Sequence, residues 1–182
     1  MNDSTLLGRL RKANIANPEV HLKMNTFYMQ YFAYQCDYPG FILIRVCENQ
    51  RYLPIKGWNC LHLLPTDPAK LSSAQGEKFP YRYLKSTDPP LGYHWPTVAP
   101  IGHAGWCVEE DTVDSGWKYA PSFGSFPSTL SPSTSAAASS SAQSYTSFKK
   151  SARDYVRRRI WRRYAQLTAD PVRGSATGSD DD

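Results

Sequence analysis

The chain has 182 residues, 41% of them hydrophobic and 13% aromatic, with a formal net charge of +5. That length and composition suggest one folded domain with tails rather than a disordered polymer. No apolar run approaches the roughly 18 residues that a membrane-spanning helix needs. The charge is local: Lys149 to Arg163 carries eight basic residues against Asp154 alone, a net +7, so the remainder sums to −2. A generally basic, nucleic-acid-like surface is therefore not implied.

Residues 1–19 read as a flexible N-terminal tail. Leu6, Leu7, Gly8, Arg9, Leu10, Arg11 and Lys12 make a stretch too short and too charged for the apolar part of a signal sequence. From Val20 to Tyr38 the chain is dense in aromatics. The alternation of Val20, Leu22 and Met24 with His21 and Lys23 predicts a strand. Pro39-Gly40 signals a turn. Phe41 to Val46 is a second apolar strand running on through Cys47-Glu48-Asn49-Gln50 to Arg51-Tyr52-Leu53. A turn at Lys56-Gly57-Trp58 follows, then a short strand over Leu61–Leu64 and a loop at Pro65-Thr66-Asp67-Pro68.

The stretch from Ala69 to Ala104 is rich in Pro, Gly and Ser around the aromatic island Leu91-Gly92-Tyr93-His94-Trp95. The 14 prolines of the chain argue against long helices here. Trp106 to Glu109 and Trp117 to Ala120 read as strands, separated by a turn at Asp111–Gly116. Pro121 to Ser147 has eleven serines and little apolar surface to offset its ordering entropy, so residues 121–148 read as a low-complexity, disordered insert. The basic segment from Lys149 to Leu167 suits a helix or a long strand equally. Residues 168–182 read as a disordered C-terminal tail.

Chemistry-bearing motifs are few. Cys36, Cys47, Cys60 and Cys107 contain no CxxC pair, and His21, His62, His94 and His103 do not flank them at zinc-ligand spacing. Reduced core cysteines, no metal and no cofactor are expected. There is no Gly-x-Ser-x-Gly elbow and no phosphate loop, so no catalytic residue is assigned and an enzyme is not expected. Glu109, Glu110, Asp111 and Asp114 form an acidic cluster. It suits acid–base or calcium chemistry, but a solvated turn with an arginine partner explains it more simply.

The most informative stretch is Arg157-Arg158-Arg159-Ile160-Trp161-Arg162-Arg163. A guanidinium is flat and weakly hydrated and stacks on indole faces, which lysine does poorly. In a strand, Arg157, Arg159, Trp161 and Arg163 share one face and Arg158, Ile160, Arg162 and Tyr164 the other. The first face is expected to interleave with upstream aromatics in a structural set comprising Arg51, Trp58, Trp95, Trp106, Trp117, Arg157, Arg159, Trp161 and Arg163. The second face is expected to stay exposed. Its Arg158 and Arg162, with Lys149, Lys150 and Arg153, form a candidate lipid- or anion-binding set. Phosphate of nucleic acid would suit the same charges, but the chain has no nucleic-acid-binding module.

These residues also carry a resemblance. Glu48-Asn49-Gln50-Arg51-Tyr52, Gly57-Trp58 and Leu64-Pro65-Thr66-Asp67 are similar to the opening of a dysferlin (DysF) domain. Leu91-Gly92-Tyr93-His94-Trp95, Trp106-Cys107-Val108-Glu109, the Gly116-Trp117, Tyr119-Ala120 and Phe123 block, and Val156 to Arg163 resemble that family's later blocks, in order, over roughly residues 41–165. Tyr93 stands where the family usually has Trp, the Ser/Ala insert follows Phe123, and the stretch from Trp95 to Trp106 is long. The resemblance extends to the peroxin and ferlin type and to a stand-alone fungal sporulation member.

It implies an all-β fold, an elongated antiparallel sheet held by Arg/Trp stacking; with the N-terminal aromatic strand added, the expected domain spans residues 20–167. It further implies a non-enzymatic, peripheral membrane-associated adaptor on the cytoplasmic side of an internal membrane, in a peroxisomal, sporulation or repair context. Its partners would be anionic lipid or sphingolipid head groups, or a membrane-bound protein. One family member is linked to sphingomyelin recognition. A soluble protein–protein scaffold is the alternative, and nucleic acid is not expected as a partner.

Overall fold

The computed structural model describes residues 17–109, 114–128 and 146–168. In chain order the elements are a helix α1 (Pro18–Phe32) and strands β1 (Ala33–Gln35), β2 (Phe41–Leu53), β3 (Gly57–Asn59), β4 (Leu71–Ser72), β5 (Tyr93–His94), β6 (Cys107–Val108), β7 (Lys118–Ala120) and β8 (Val156–Leu167). All eight strands join one antiparallel sheet. The fold is thus mostly β, as the sequence indicated, with a single helix among the described residues. Among those residues no helix is long and apolar enough to cross a membrane.

The sheet is organised by its two long strands. β2 and β8 pair from Phe41↔Gln166 to Arg51↔Val156. β1, β4 and β3 line the outer edge of β2. β5, β6 and β7 line the outer edge of β8. Because side chains alternate across a strand, this register fixes which residues meet. One face collects Ile42, Ile44, Val46, Glu48, Gln50 and Tyr52 of β2 with Arg157, Arg159, Trp161, Arg163 and Ala165 of β8. The other collects Leu43, Arg45, Cys47, Asn49 and Arg51 with Val156, Arg158, Ile160, Arg162 and Tyr164.

The segment read as an N-terminal strand is α1, which begins inside the stretch assigned to the flexible tail. Pro18 in the first turn and Glu19 beside the helix N-terminus favour this start. The aromatics decide the rest. Phe27 and Tyr31, and Tyr28 and Phe32, are spaced four apart on one helical stripe. Tyr28 and Phe32 are buried, whereas Val20 and Met24, whose alternation suggested a strand, are exposed. The stripe packs on Ile44, Val46, Leu71, Phe79 and Ala165. Leu61–Leu64 is likewise not a strand. A 3-10 turn covers Cys60–His62, capped by Asn59, whose Oδ1 accepts from the Leu61 amide at 2.9 Å.

A second, smaller core of Ala120, Phe126 and Val156 sits on the opposite face, with Phe123 against it. Phe123 and Phe126 fall within the segment assigned to the disordered insert, so the ordered fold continues past residue 121. Two aromatics bracketing Gly124 give that piece enough apolar surface to dock. Residues 129–145 of the insert, 1–16 of the N-terminal tail and 169–182 of the C-terminal tail lie outside the described residues.

Candidate functional site

The first face of β8 carries a ladder of alternating cations and rings. The Arg157 guanidinium lies 5.0 Å from the Trp58 ring and 4.1 Å from Trp117. Arg159 lies 4.5 Å from Trp117 and 4.7 Å from Trp161. Trp117, only 5% exposed, is therefore in contact with two guanidiniums. Further along β8, Arg163 stacks on Trp95 at 4.0 Å and donates through Nε to the Ala104 carbonyl at 3.1 Å. Lys150 extends the other end, with Nζ 3.8 Å from the Tyr52 ring and 5.6 Å from Trp58.

The register that builds the ladder also supplies its acceptors. Gln50 lies opposite Arg157, and its Oε1 accepts from Arg157 Nε at 3.1 Å and Nη2 at 2.8 Å. Glu48 lies opposite Arg159, and its Oε2 accepts from Arg159 Nε and from Trp161 Nε1, both at 2.8 Å. Each guanidinium thus has its flat faces on rings and its edge on an oxygen, which offsets the desolvation of a partly buried charge. Burial pulls the Arg157 and Arg163 guanidiniums below their ordinary pKa, a range in which both remain cationic at neutral pH.

Two residues assigned to this stack have other roles. Arg51 sits one strand position out of phase with Trp58 and faces the opposite side. There it holds Asp67 of the Leu-Pro-Thr-Asp loop in a two-point pair, Nε–Oδ2 at 2.7 Å and Nη2–Oδ1 at 2.6 Å. Asp67 Oδ2 also accepts from the Leu64 amide at 2.7 Å. Burial pushes the Asp67 carboxyl up, but these bonds outweigh it and hold its pKa below the usual value. Trp106 meets Trp95 and Phe79 edge-on at 6.1 and 6.5 Å and belongs to the aromatic cluster under α1.

The second face of β8 is not the exposed basic surface expected of it. Arg158 is 5% exposed, donates through Nε to Asn49 Oδ1 at 2.8 Å, and stacks on Phe126 at 4.9 Å. Burial lowers its pKa. Arg162 is half-buried with its Nε away from solvent, and Cys107 Sγ donates to its backbone carbonyl at 3.7 Å. Both drop out of the anion-binding set, because the Phe123–Phe126 segment lies over Arg158 and Cys107 flanks Arg162. On the same face Arg45 pairs with Glu109 and stacks on Tyr34 at 5.2 Å. That gives part of the acidic cluster the arginine partner expected of it. Asp114 accepts from the Tyr119 hydroxyl, and Glu110 and Asp111 lie outside the described residues.

Lys149, Lys150 and Arg153 remain exposed on the segment leading into β8. That segment is pinned at several points. Ser147 bridges to Tyr119, Asp154 accepts from the Ser151 amide at 2.6 Å, and the Tyr155 carbonyl accepts from the Tyr52 amide at 2.8 Å. The four cysteines are free thiols. Burial raises the pKa of the Cys47 thiol, which keeps it neutral beside Arg158. Among the described residues no group of three or more His, Cys, Asp or Glu side chains is arranged to hold a metal.

The residues missed from the sequence were Glu48, Gln50 and Asn49, the acceptors that make the arginines tolerable inside. Their signal was present. A Glu-Asn-Gln run facing an Arg-Arg-Arg run in antiparallel strands pairs every guanidinium with an acceptor, once the strands are known to be neighbours.

Comparison of the chain with protein-family models gives no match, and comparison with curated proteins gives none either.

Proposed function

We propose that the protein is a non-enzymatic adaptor of the dysferlin-domain type that docks peripherally on the cytoplasmic side of an internal membrane. Anionic head groups would be read by its basic segment. One observation carries this reading. Once stacking and burial have drawn in Arg157, Arg158, Arg159 and Arg163, the cations left exposed beside β8 are grouped at Lys149, Lys150 and Arg153, on a segment pinned to the sheet. A held cluster of cations loses less freedom on meeting phosphates than three independent side chains would. Near an anionic leaflet each contributes about 1 kcal/mol. The mostly β sheet with its Arg/Trp ladder also accords with the architecture that the dysferlin resemblance implies. That resemblance is what favours remodelling contexts such as peroxisome regulation, sporulation or repair.

The test is flotation of the full chain with phosphatidylserine-containing and sphingomyelin-containing vesicles. Capture by the anionic vesicles is expected, weakened by salt at about 0.5 M, where the screening length falls to a few ångströms. The pair Lys149→Glu and Arg153→Glu is expected to reduce capture with little change in melting temperature. Lys150→Glu also removes a ring contact, so a small loss of stability is expected with it. No flotation with either lipid would point instead to a soluble protein–protein scaffold.

A further inference from the structure

The hairpin between β2 and β3 ends in an exposed apolar point. Leu53 pairs with Gly57, leaving Pro54, Ile55 and Lys56 to reverse the chain. The Lys56 amide donates to the Pro54 carbonyl at 2.8 Å, across a single residue. Ile55 at the centre has φ 71°, a left-handed conformation unfavourable for a β-branched side chain. It is also fully exposed, at 105% of its reference area. A strained backbone therefore holds out a large apolar side chain that touches nothing. Packing within the chain gives no reason for isoleucine here, where glycine or asparagine would relieve the strain.

The surroundings of this point are amphipathic. Leu53 is exposed on one side of the turn, and Leu61, 85% exposed, follows β3 in the returning strand's 3-10 turn. Lys56 is next to Ile55 and exposed. Tyr52, the residue before Leu53, carries Lys150 over its ring and is hydrogen-bonded to Tyr155, which is half exposed. Apolar side chains and the exposed cations thus share one end of the sheet. Such an arrangement suits the boundary of an anionic bilayer, where the apolar groups enter the acyl region and the ammonium groups remain with the phosphates. An apolar protein partner would explain Leu53 and Ile55 but not the exposed cations Lys56 and Lys150 close to them.

We propose that the Pro54–Lys56 turn is a membrane-inserting tip, with Ile55 as its anchor and Leu53 beside it. The basic segment at Lys149–Arg153 would supply the electrostatic half of the same contact. This rests on the membrane reading above and adds where and how the protein enters the bilayer. Three surface cations alone give weak, salt-sensitive attachment, and an inserted side chain supplies the second signal that stable peripheral binding needs.

The experiment is flotation of the full chain and two variants with phosphatidylserine-containing vesicles, together with thermal melts. Because Ile55 is unburied and strained, Ile55→Gly is expected to fold with an unchanged or higher melting temperature and to lose vesicle affinity about tenfold. Ile55→Trp keeps an apolar side chain of interfacial character and is expected to bind more tightly than the parent chain. Parent flotation that is equal in Ile55→Gly and Ile55→Trp overturns the tip while leaving the membrane reading intact. Failure of the parent chain to float overturns both. Loss in Ile55→Gly together with a gain in Ile55→Trp supports the tip.

Discussion

At the scale of single residues, Trp117 shows what kind of interior this protein has. Its ring is buried against the guanidiniums of Arg157 and Arg159. Replacing it with alanine removes a large ring and leaves two guanidiniums facing a void. Trp117→Ala is therefore expected to destabilise the fold by about 3–5 kcal/mol, read from the shift of the denaturant midpoint. An unchanged midpoint would show that the ladder is decoration. The Arg51–Asp67 pair offers a second residue-scale prediction. The Asp67 carboxyl has a folded pKa held below its ordinary value. Its contribution is therefore fully present above the unfolded carboxylate range and fades as pH falls through the folded value. Asp67→Asn is expected to lower stability at neutral pH by about 2 kcal/mol and to flatten the acid side of the stability profile below about pH 4. Melting curves from pH 7 to pH 2 provide the check. A mutant profile that falls as steeply as the parent's would place the acid sensitivity elsewhere.

At the scale of elements, the two long strands carry the structure and the short ones finish it. β8 has β2 along one edge and β5, β6 and β7 along the other, so its backbone bonds are shielded on both sides. β1 and β5 are brief edge pieces of three and two residues. Amide hydrogen exchange is expected to be slowest in the middle of β8 and β2, around Ile160 and Cys47, and fastest in β1 and β5. Uniform protection across the sheet would contradict this hierarchy. The elements also show where reading the sequence succeeded. β2, β6 and β7 were legible because alternation and turn residues are local signals. α1 was not, because a five-residue alternation at Val20–Met24 masked the four-residue spacing of Phe27, Tyr28, Tyr31 and Phe32. The strand state of β8 was undecidable locally, since five arginines and a tryptophan have no strong period of their own. Pairing with Glu48, Asn49 and Gln50 determines it.

At the scale of the whole molecule, burial is distributed over both faces of one sheet rather than gathered in a single greasy centre. This is why the candidate site was only half legible. The stacking face was visible from the spacing of Arg157, Arg159, Trp161 and Arg163. The fate of the other face depended on Phe123 and Phe126, which reach it from a distant part of the chain and lie over Arg158. The cations of the basic segment left for docking are correspondingly fewer than its charge count implies, and Lys150 among them lies over Tyr52, at the same end as Ile55. The long-range pairing has a further consequence for biogenesis. Arg157 and Gln50 are 107 positions apart, yet they are direct neighbours in the sheet. As the polypeptide emerges from the ribosome, β2 must wait with a naked edge and an apolar flank until β8 has been synthesised. Such topologies assemble slowly and are prone to sticking together beforehand, so the risk of aggregation during translation follows from where the chain keeps its arginines.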